Sequence, residues 1–260
     1  MQGPAVISGA TGGIGSAIAR SFLAEGKPVV LLGRQQKTLD ALARRLQTVS
    51  VPGAWIDTEQ VDINISDSVN GAAVAITARH GAPGSLVHAA GDHPVMPVRD
   101  TTDADWRTAF EGKFMGAVRL IRAFEDSLRS TKGGSIVLIS GLFRAEPSPM
   151  FPIGSTLNAA LGALAKTTSK ELACANVRVN VVDPGPVATT RWMHTCEELA
   201  AYSTSDASAI NEETISRIPM GRLVKPEDVA AMVRFLCSND ASYITGGSFV
   251  VDGGMAAGLV

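Results

Sequence analysis

Ala5-Val6-Ile7-Ser8-Gly9-Ala10-Thr11-Gly12-Gly13-Ile14-Gly15 is the stretch on which the fold turns. A short apolar run leads into four glycines within seven positions, and a helical pattern over 14–25 follows. Glycines at such a junction permit a tight turn and let the backbone approach a pyrophosphate closely. The amides and dipole at the helix N-terminus then favour the negative charge. A glycine cluster by itself is a weak signal, and some such clusters are ordinary turns. Lying between a first strand and a first helix, it reads as a phosphate loop.

The same alternation continues outward from this unit. Strands are expected at Ala5–Ser8, Val29–Leu32, Ala54–Ile63, Ser85–Ala89, Ser135–Ser140, Val177–Val182 and Ser248–Val251, with helices near 14–25, 36–47, 67–79, 103–130, 154–174 and 226–237. The strands are almost continuous apolar runs, as required where helices cover both faces of a parallel sheet. Strand–helix alternation from end to end predicts an α/β chain with a doubly wound parallel sheet of about seven strands, a Rossmann fold. No Pro/Gly/Ser-rich linker divides it, so 1–260 is expected to be one dinucleotide-binding domain. Ligands of such sheets bind beyond the carboxyl ends of the strands. The longest irregular stretch, about 184–223, is expected to serve as substrate loop or lid.

Composition narrows the function. The 260 residues are 45% hydrophobic and 18% charged, with a net charge of -2. That is the balance of a folded globular chain, with no basic block to suit nucleic acid or an anionic membrane. Pro147 to Ala165 carries no charge over a length that could suggest a membrane span. Pro147, Pro149, Pro152, Gly154 and Asn158 interrupt it, which favours a loop and a helix. Cys174, Cys196 and Cys237 form an odd set without CxxC spacing, and no secretory leader is visible, so neither a disulfide framework nor a thiolate metal site is expected. The histidines lack metal-ligand spacing as well, and no metal is expected. The expected compartment is the reducing cytoplasm. The chain has only two tyrosines, Tyr202 and Tyr243, so any chemistry that needs a phenol must use one of them.

Nineteen residues after Gly15, the second strand runs out in Gly33-Arg34. A fold that selects NAD offers Asp or Glu near this point for the ribose 2′-hydroxyl. Here Val29 through Arg34 contains no acid and ends in a guanidinium suited to a 2′-phosphate, which favours NADP(H). The alternative is a solvated loop arginine. Asp62 could accept a hydrogen bond from an adenine amino group, or it could be the turn acid that begins the next helix.

At this point the chain resembles the short-chain dehydrogenase/reductase family over nearly all its length. Ser8 to Gly15 is similar to the family's TGxxxGxG, and His88-Ala89-Ala90-Gly91 resembles its NNAG. Arg178-Val179-Asn180 with Asp183-Pro184-Gly185 resembles the RVN…PG segment. Gly221-Arg222-Leu223, Pro226-Glu227-Asp228-Val229-Ala230, Tyr243-Ile244-Thr245-Gly246-Gly247 and Val251-Asp252-Gly253-Gly254 resemble the family's C-terminal third. The resemblance implies an oxidoreductase that binds its nicotinamide cofactor through Gly9, Thr11, Gly13, Ile14 and Gly15 at the phosphates. It further implies Arg34, Asp62 and Ile63 toward the adenosine, and Ala89, Ala90, Gly91, Pro184, Gly185, Val187 and Thr189 toward the nicotinamide.

The family's Asn-Ser-Tyr-Lys tetrad is absent. Registering on Trp106 and Gly116 puts Lys113 at the Asn position, and Ile139-Ser140 puts Gly141 at the Ser position. Counting back from Glu171-Leu172-Ala173 puts Gly154 at the Tyr position and Asn158 at the Lys position. The 13-residue step from Gly141 to Gly154 equals the family's Ser-to-Tyr spacing. Slipping by one to enlist Ser140 would turn its side chain to the opposite face of the strand. A divergent branch of the family likewise carries Lys at this Asn position, SG for the Ser pair, and no YxxxK.

Two residues are candidates for the missing chemistry. Lys113, on the long helix, could have its pKa lowered beside a bound nicotinamide and then hold the ribose, polarise a carbonyl or imine, or relay a proton. Alternatively it only fills vacated volume. His93, in the loop after Gly91-Asp92, could donate a proton at the pocket mouth, or be merely solvated. His88 is expected to be a hydrogen-bonded strand residue, His80 to end a helix, His194 and Tyr202 to lie in the lid, and Tyr243 to be structural. Arg144 and Glu146 either bind substrate or form a surface pair. The favoured function is NADP(H)-dependent reduction of a small carbonyl or imine with non-standard proton delivery. A non-redox catalyst and an inactive nucleotide-binding sensor are the alternatives. Small residues Ala159, Ala160, Gly162, Ala163 and Ala165 either pack on the sheet or let the chain form a homo-oligomer, a dimer or tetramer as the family commonly does.

Overall fold

The apolar runs form seven strands in the computed structural model, which describes residues 3–131 and 133–258. They are β1 (Ala5–Ser8), β2 (Val29–Gly33), β3 (Ile56–Gln60), β4 (Ser85–His88), β5 (Ser135–Ile139), β6 (Arg178–Pro184) and β7 (Ser248–Val251). All pair in parallel in the order β3-β2-β1-β4-β5-β6-β7, so the winding reverses between β1 and β4. There Ser8 lies opposite His88.

Alternation along each strand divides the core into two layers. Ile7, Leu31, Val137 and Val182 face one side, where α1 (Gly13–Leu23), α2 (Gln36–Gln47) and α9 (Pro226–Leu236) cover them with Ile18, Phe22, Leu39 and Val233. Val6, Val30, Leu86, Leu138 and Val181 face the other, under α3 (Ser66–His80), α5 (Gly116–Ser130) and α6 (Pro152–Leu172). Burying strands on both faces explains why they read as unbroken apolar runs. Phe124 of α5 is fully buried in the second layer. Its replacement by Ala is expected to cost about 3–5 kcal/mol in a denaturant titration, since the cavity adds to the lost transfer energy.

Most boundaries shift by no more than two residues, and three differences are larger. β3 spans Ile56–Gln60 rather than 54–63, because it is an edge strand that pairs only with β2 and is polar at Asp57, Glu59 and Gln60. The long helix expected over 103–130 is interrupted: α4 (Asp103–Ala109) passes into a π-helical turn at Phe110–Met115 before α5 begins. The stretch 184–223 is not irregular. It contains α7 (Thr190–Ala200) and α8 (Ala207–Ser216), whose N-caps Thr189 and Asp206 accept from Trp192 N and Ala209 N. Among the described residues no helix is long and apolar enough to cross a membrane, and no cluster of His, Cys, Asp or Glu could hold a metal ion. Cys174 is exposed, while Cys196 and Cys237 are buried. On α6, Ala165 packs against the sheet whereas Ala159 and Ala163 face outward.

Candidate active site and dinucleotide cradle

The carboxyl ends of β1, β4, β5 and β6 converge on one side of the sheet, beyond the reversal point. The loop after β1 turns through Gly9, whose φ of 70° is open to glycine at little cost. A Cβ on Gly15 would collide with the Gly9 carbonyl, and one on Gly13 would lie 2.5 Å from Thr189 Cγ2. The loop is thus closed to side chains from both directions. No side chain caps α1, so the first-turn amides of Gly13, Ile14 and Gly15 stay open to an anion, with Thr11 exposed beside them. Such a cradle fits a pyrophosphate.

Arg34 follows β2 directly. Its side chain is exposed and makes no ion pair to a described residue, while its carbonyl accepts from Gln60 Nε2. Asp62 follows β3 as a turn acid: Oδ1 accepts from Asn64 N at 3.0 Å, and its own amide donates to Ser68 Oγ. Ile63 packs toward Gly116, and its carbonyl accepts from Arg119 Nη1. Ala89, Ala90 and Gly91 line the β4 end. Pro184, Gly185 and Val187 line the β6 end, where Val187 bridges to Val224 and Thr189 caps α7.

A π-helical turn, Phe110–Met115, borders the carboxyl end of β4. A widened turn frees a carbonyl from the helical ladder, and wide turns recur at functional sites. Here the Lys113 carbonyl accepts from His88 Nε2 at 2.9 Å, while His88 Nδ1 pairs with Ser8 Oγ at 2.8 Å. With Nε2 donating, Nδ1 accepts from the serine hydroxyl, so the ring is neutral and both of its nitrogens are satisfied. Burial holds its pKa down to about 4. His88 therefore ties the switch point of the sheet to the backbone of Lys113.

The Lys113 side chain crosses Gly91, where a Cβ would come within 2.8 Å of its Cβ and Cγ. Only a glycine, here at φ 128°, allows that approach. The side chain is buried at 7% exposure, and its ammonium makes no hydrogen bond to any described residue. Desolvation lowers its pKa to about 8, Asp92 and Asp183 oppose that shift, and Arg191 adds to it.

Two of the positions that the sequence register assigns to the tetrad lie against neighbouring side chains. A Cβ on Gly154 would sit 2.5 Å from both Cε1 and Nε2 of His93, so the imidazole lies against the α6 backbone where a larger side chain would begin. Phe151 meets this ring edge-on, with centroids 6.4 Å apart, and stacks on Phe143 at 4.2 Å. Burial, then the charge of Lys113, lowers the His93 pKa to about 4. With its pKa that low, the ring at the root of position 154 is neutral near pH 7 and half-buried, unlike either sequence alternative, an imidazolium donor or a solvated loop histidine. A phenol hydroxyl would stand a whole ring farther into the pocket. The other position is Gly141, where a Cβ would come 2.9 Å from Asn158 Nδ2.

Several interactions were not legible in the sequence. Arg144 does not pair with Glu146: its Nε donates to Asp183 Oδ2 at 2.8 Å, and Ser248 Oγ donates to the same oxygen. Glu146 instead accepts from the amides of Ala257 and Gly258. Arg191 of α7 pairs with Asp92 and Glu198 and donates to the His93 carbonyl, latching the helical segment onto the β4 loop. Ser140 Oγ donates to the Asn158 carbonyl and is structural. Among the other sequence candidates, His80 pairs with Asp57 and packs its ring at a tilt against Trp55. His194 and Tyr202 are exposed, and Tyr243 is fully exposed rather than packed. No phenol enters the site.

Comparison with known proteins agrees with this fold. The family model for enoyl-(acyl carrier protein) reductase matches residues 9–256. Human dehydrogenase/reductase SDR family member 4 is 32% identical, over 98% of this chain and 88% of its own length. L-sorbose reductase from Gluconobacter frateurii, solved with NADPH and L-sorbose, is 32% identical, with a TM-score of 0.90 over 99% of this chain and 97% of that one. An NADPH-bound short-chain oxidoreductase from Pseudomonas aeruginosa PAO1 containing an atypical catalytic center is 28% identical, with a TM-score of 0.89 over 99% and 98% of the two chains.

Proposed function

We propose that this chain, which belongs to the short-chain dehydrogenase/reductase family, is an NADP(H)-dependent reductase of a small carbonyl or imine in which Lys113 replaces the family's phenol as proton donor. The observation that carries this reading is the buried side chain of Lys113 at the carboxyl end of the sheet, whose ammonium bonds to no described residue and whose pKa desolvation lowers to about 8. An acid of that strength is matched to neutral pH: protonated often enough to give a proton, and weak enough as a base to release it. The reduced nicotinamide, when bound, supplies the hydride.

The chain's own residues do the rest. Gly9, Thr11, Gly13, Ile14 and Gly15 cradle the pyrophosphate, with Asp62, Ile63, Ala89, Ala90, Gly91, Pro184, Gly185, Val187 and Thr189 around the remainder of the cofactor. Lys113 polarises the acceptor oxygen or nitrogen and then passes it a proton, leaving a neutral amine that is reprotonated from solvent. His93, Phe151 and Phe143 exclude water from the far wall. Arg191 holds the His93 loop and α7 together over the pocket.

Arg34 supports the 2′-phosphate. Arg34→Ala is expected to weaken NADPH binding about tenfold to a hundredfold, the worth of one charge-assisted pair, while NADH binding stays unchanged. Fluorescence titration of both nucleotides checks this, and equal NADPH and NADH affinity in the native protein would refute the cofactor preference. A screen of aldehydes, ketones and cyclic imines, followed by loss of reduced-nicotinamide absorbance, tests the reaction itself. Conversion of a substrate without that loss would favour a non-redox catalyst, and cofactor binding without any conversion would favour a sensor.

A further inference from the structure

We propose that Arg191 of α7 is a positioning residue that holds the Asp92 carboxylate away from Lys113, so that the ammonium stands unpaired only while α7 lies against the β4 loop. Released by Arg191, Asp92 pairs with Lys113 instead. This rests on the reading of Lys113 as proton donor.

A buried lysine ordinarily has a partner, and a carboxylate stands close to this one. The stem of Lys113 packs on Gly91, and Asp92 is the next residue in the chain. Yet the ammonium bonds to no described residue, and the Asp92 side chain is 72% exposed. That carboxylate is committed elsewhere. Its Oδ1 pairs with Arg191 Nε at 2.5 Å and accepts from the His93 amide at 2.9 Å, and two donors on one oxygen fix its orientation.

Arg191 is itself held by acceptors at all three nitrogens. Beyond Asp92 at Nε, Nη1 donates to Glu198 Oε2 at 2.6 Å within the same helix, and Nη2 donates to the His93 carbonyl. Its planar fork suits such multiple pairing and keeps its charge at any working pH. Arg191 lies in the first turn of α7, two residues after Thr189, which sits against Gly13 of the phosphate loop. Past the other end of α7, the Tyr202 hydroxyl donates to the Asp100 carboxylate. The helix thus meets the segment after β4 at both ends, and the pairing of Asp92 depends on its being there.

The charges that face Lys113 are Asp92 from the β4 loop, Asp183 from β6 and Arg191 from α7, with His88 and His93 neutral. Asp183 is fixed in its strand, where Oδ2 accepts from Arg144 Nε and Ser248 Oγ. Asp92 is the acid whose partner can change, because its side chain lies mostly in water on a loop. Asp92 favours the lysine's charge and Arg191 opposes it, so as a pair they offset each other. Left alone beside the ammonium, the carboxylate makes Lys113 a poorer acid.

The test is an NMR titration of the whole protein carrying isotope-labelled lysine, with the Lys113 signal assigned by its loss in Lys113→Met. In Arg191→Met the freed carboxylate meets the ammonium, so the Lys113 midpoint should rise by about one pH unit. Losing the guanidinium's own repulsion also raises it, so the deciding comparison is a double-variant cycle. Asp92→Asn should lower the midpoint slightly in the native background, where Arg191 offsets the carboxylate, and by about one unit in Arg191→Met. The pH limb of kcat should follow the midpoint in each variant. If Arg191→Met does not fold, Arg191→Ala is read the same way. Equal decrements in the two backgrounds overturn the exchange of partners, even if turnover still depends on Lys113. Unequal decrements in a protein that oxidises no reduced nicotinamide uphold the exchange and remove the reductase reading.

Discussion

Lys113→Met is expected to slow reduction by about 10²–10⁴-fold, the span that positioned proton transfer contributes. NADPH affinity should change far less, because the cradle is built from the β1 loop and the α1 amides, not from Lys113. Stability should move the opposite way. The folded protein holds this lysine's pKa near 8, below its ordinary value of 10.5, because burial penalises the charge. Between those two values the unfolded chain binds more protons, so this group's contribution rises with pH there and is a constant penalty below about 8. Met fills similar volume without the charge, so the variant's melting temperature should rise by a few degrees at pH 7. Stopped-flow turnover, nucleotide titration and a thermal melt on the same variant check the three statements. A loss of activity caused by misfolding would lower the melting temperature instead.

Installing the family's phenol should fail by itself. In Gly154→Tyr the new Cβ would stand 2.5 Å from the His93 ring, which is held by Phe151 on one side and by the loop that Arg191 latches on the other. Overpacking of this kind costs about 1–3 kcal/mol. His93→Ala opens the space, so the double variant should recover most of the stability lost. Denaturant titrations of the two single variants and the double variant give the coupling directly, and additive effects would show that the two residues do not share this volume. Gly154→Tyr alone is expected to add no turnover.

The fold was legible because each local signal agreed with the next. The β1 run, the glycines that follow it and the helix after them define one unit, and the α2 limits matched the sequence at both ends. Edges were less legible, since an edge strand such as β3 is bounded by its single partner and not by composition. The π-helical turn at Phe110–Met115 was missed although Gly112 and Gly116 stand inside a helical pattern and could have flagged a local break. The helices within 184–223 were missed although Thr189 and Asp206 are good N-caps. The position of Lys113 was found by register, but its burial was not. Arg144 with Asp183, and His93 over Gly154, join residues far apart in sequence and depend on packing between elements, for which no local pattern exists.

The pH dependence of reduction by the native protein tests the central role of Lys113 most directly. Reduction needs the ammonium, so kcat should hold steady below neutrality and fall through a limb near pH 8, the value burial imposes on Lys113. In Lys113→Arg, whose guanidinium keeps its charge throughout, that limb should vanish. A limb near 8 that persists in Lys113→Arg, or a native rate that stays flat well above pH 8, would contradict the assignment of Lys113 as the proton donor.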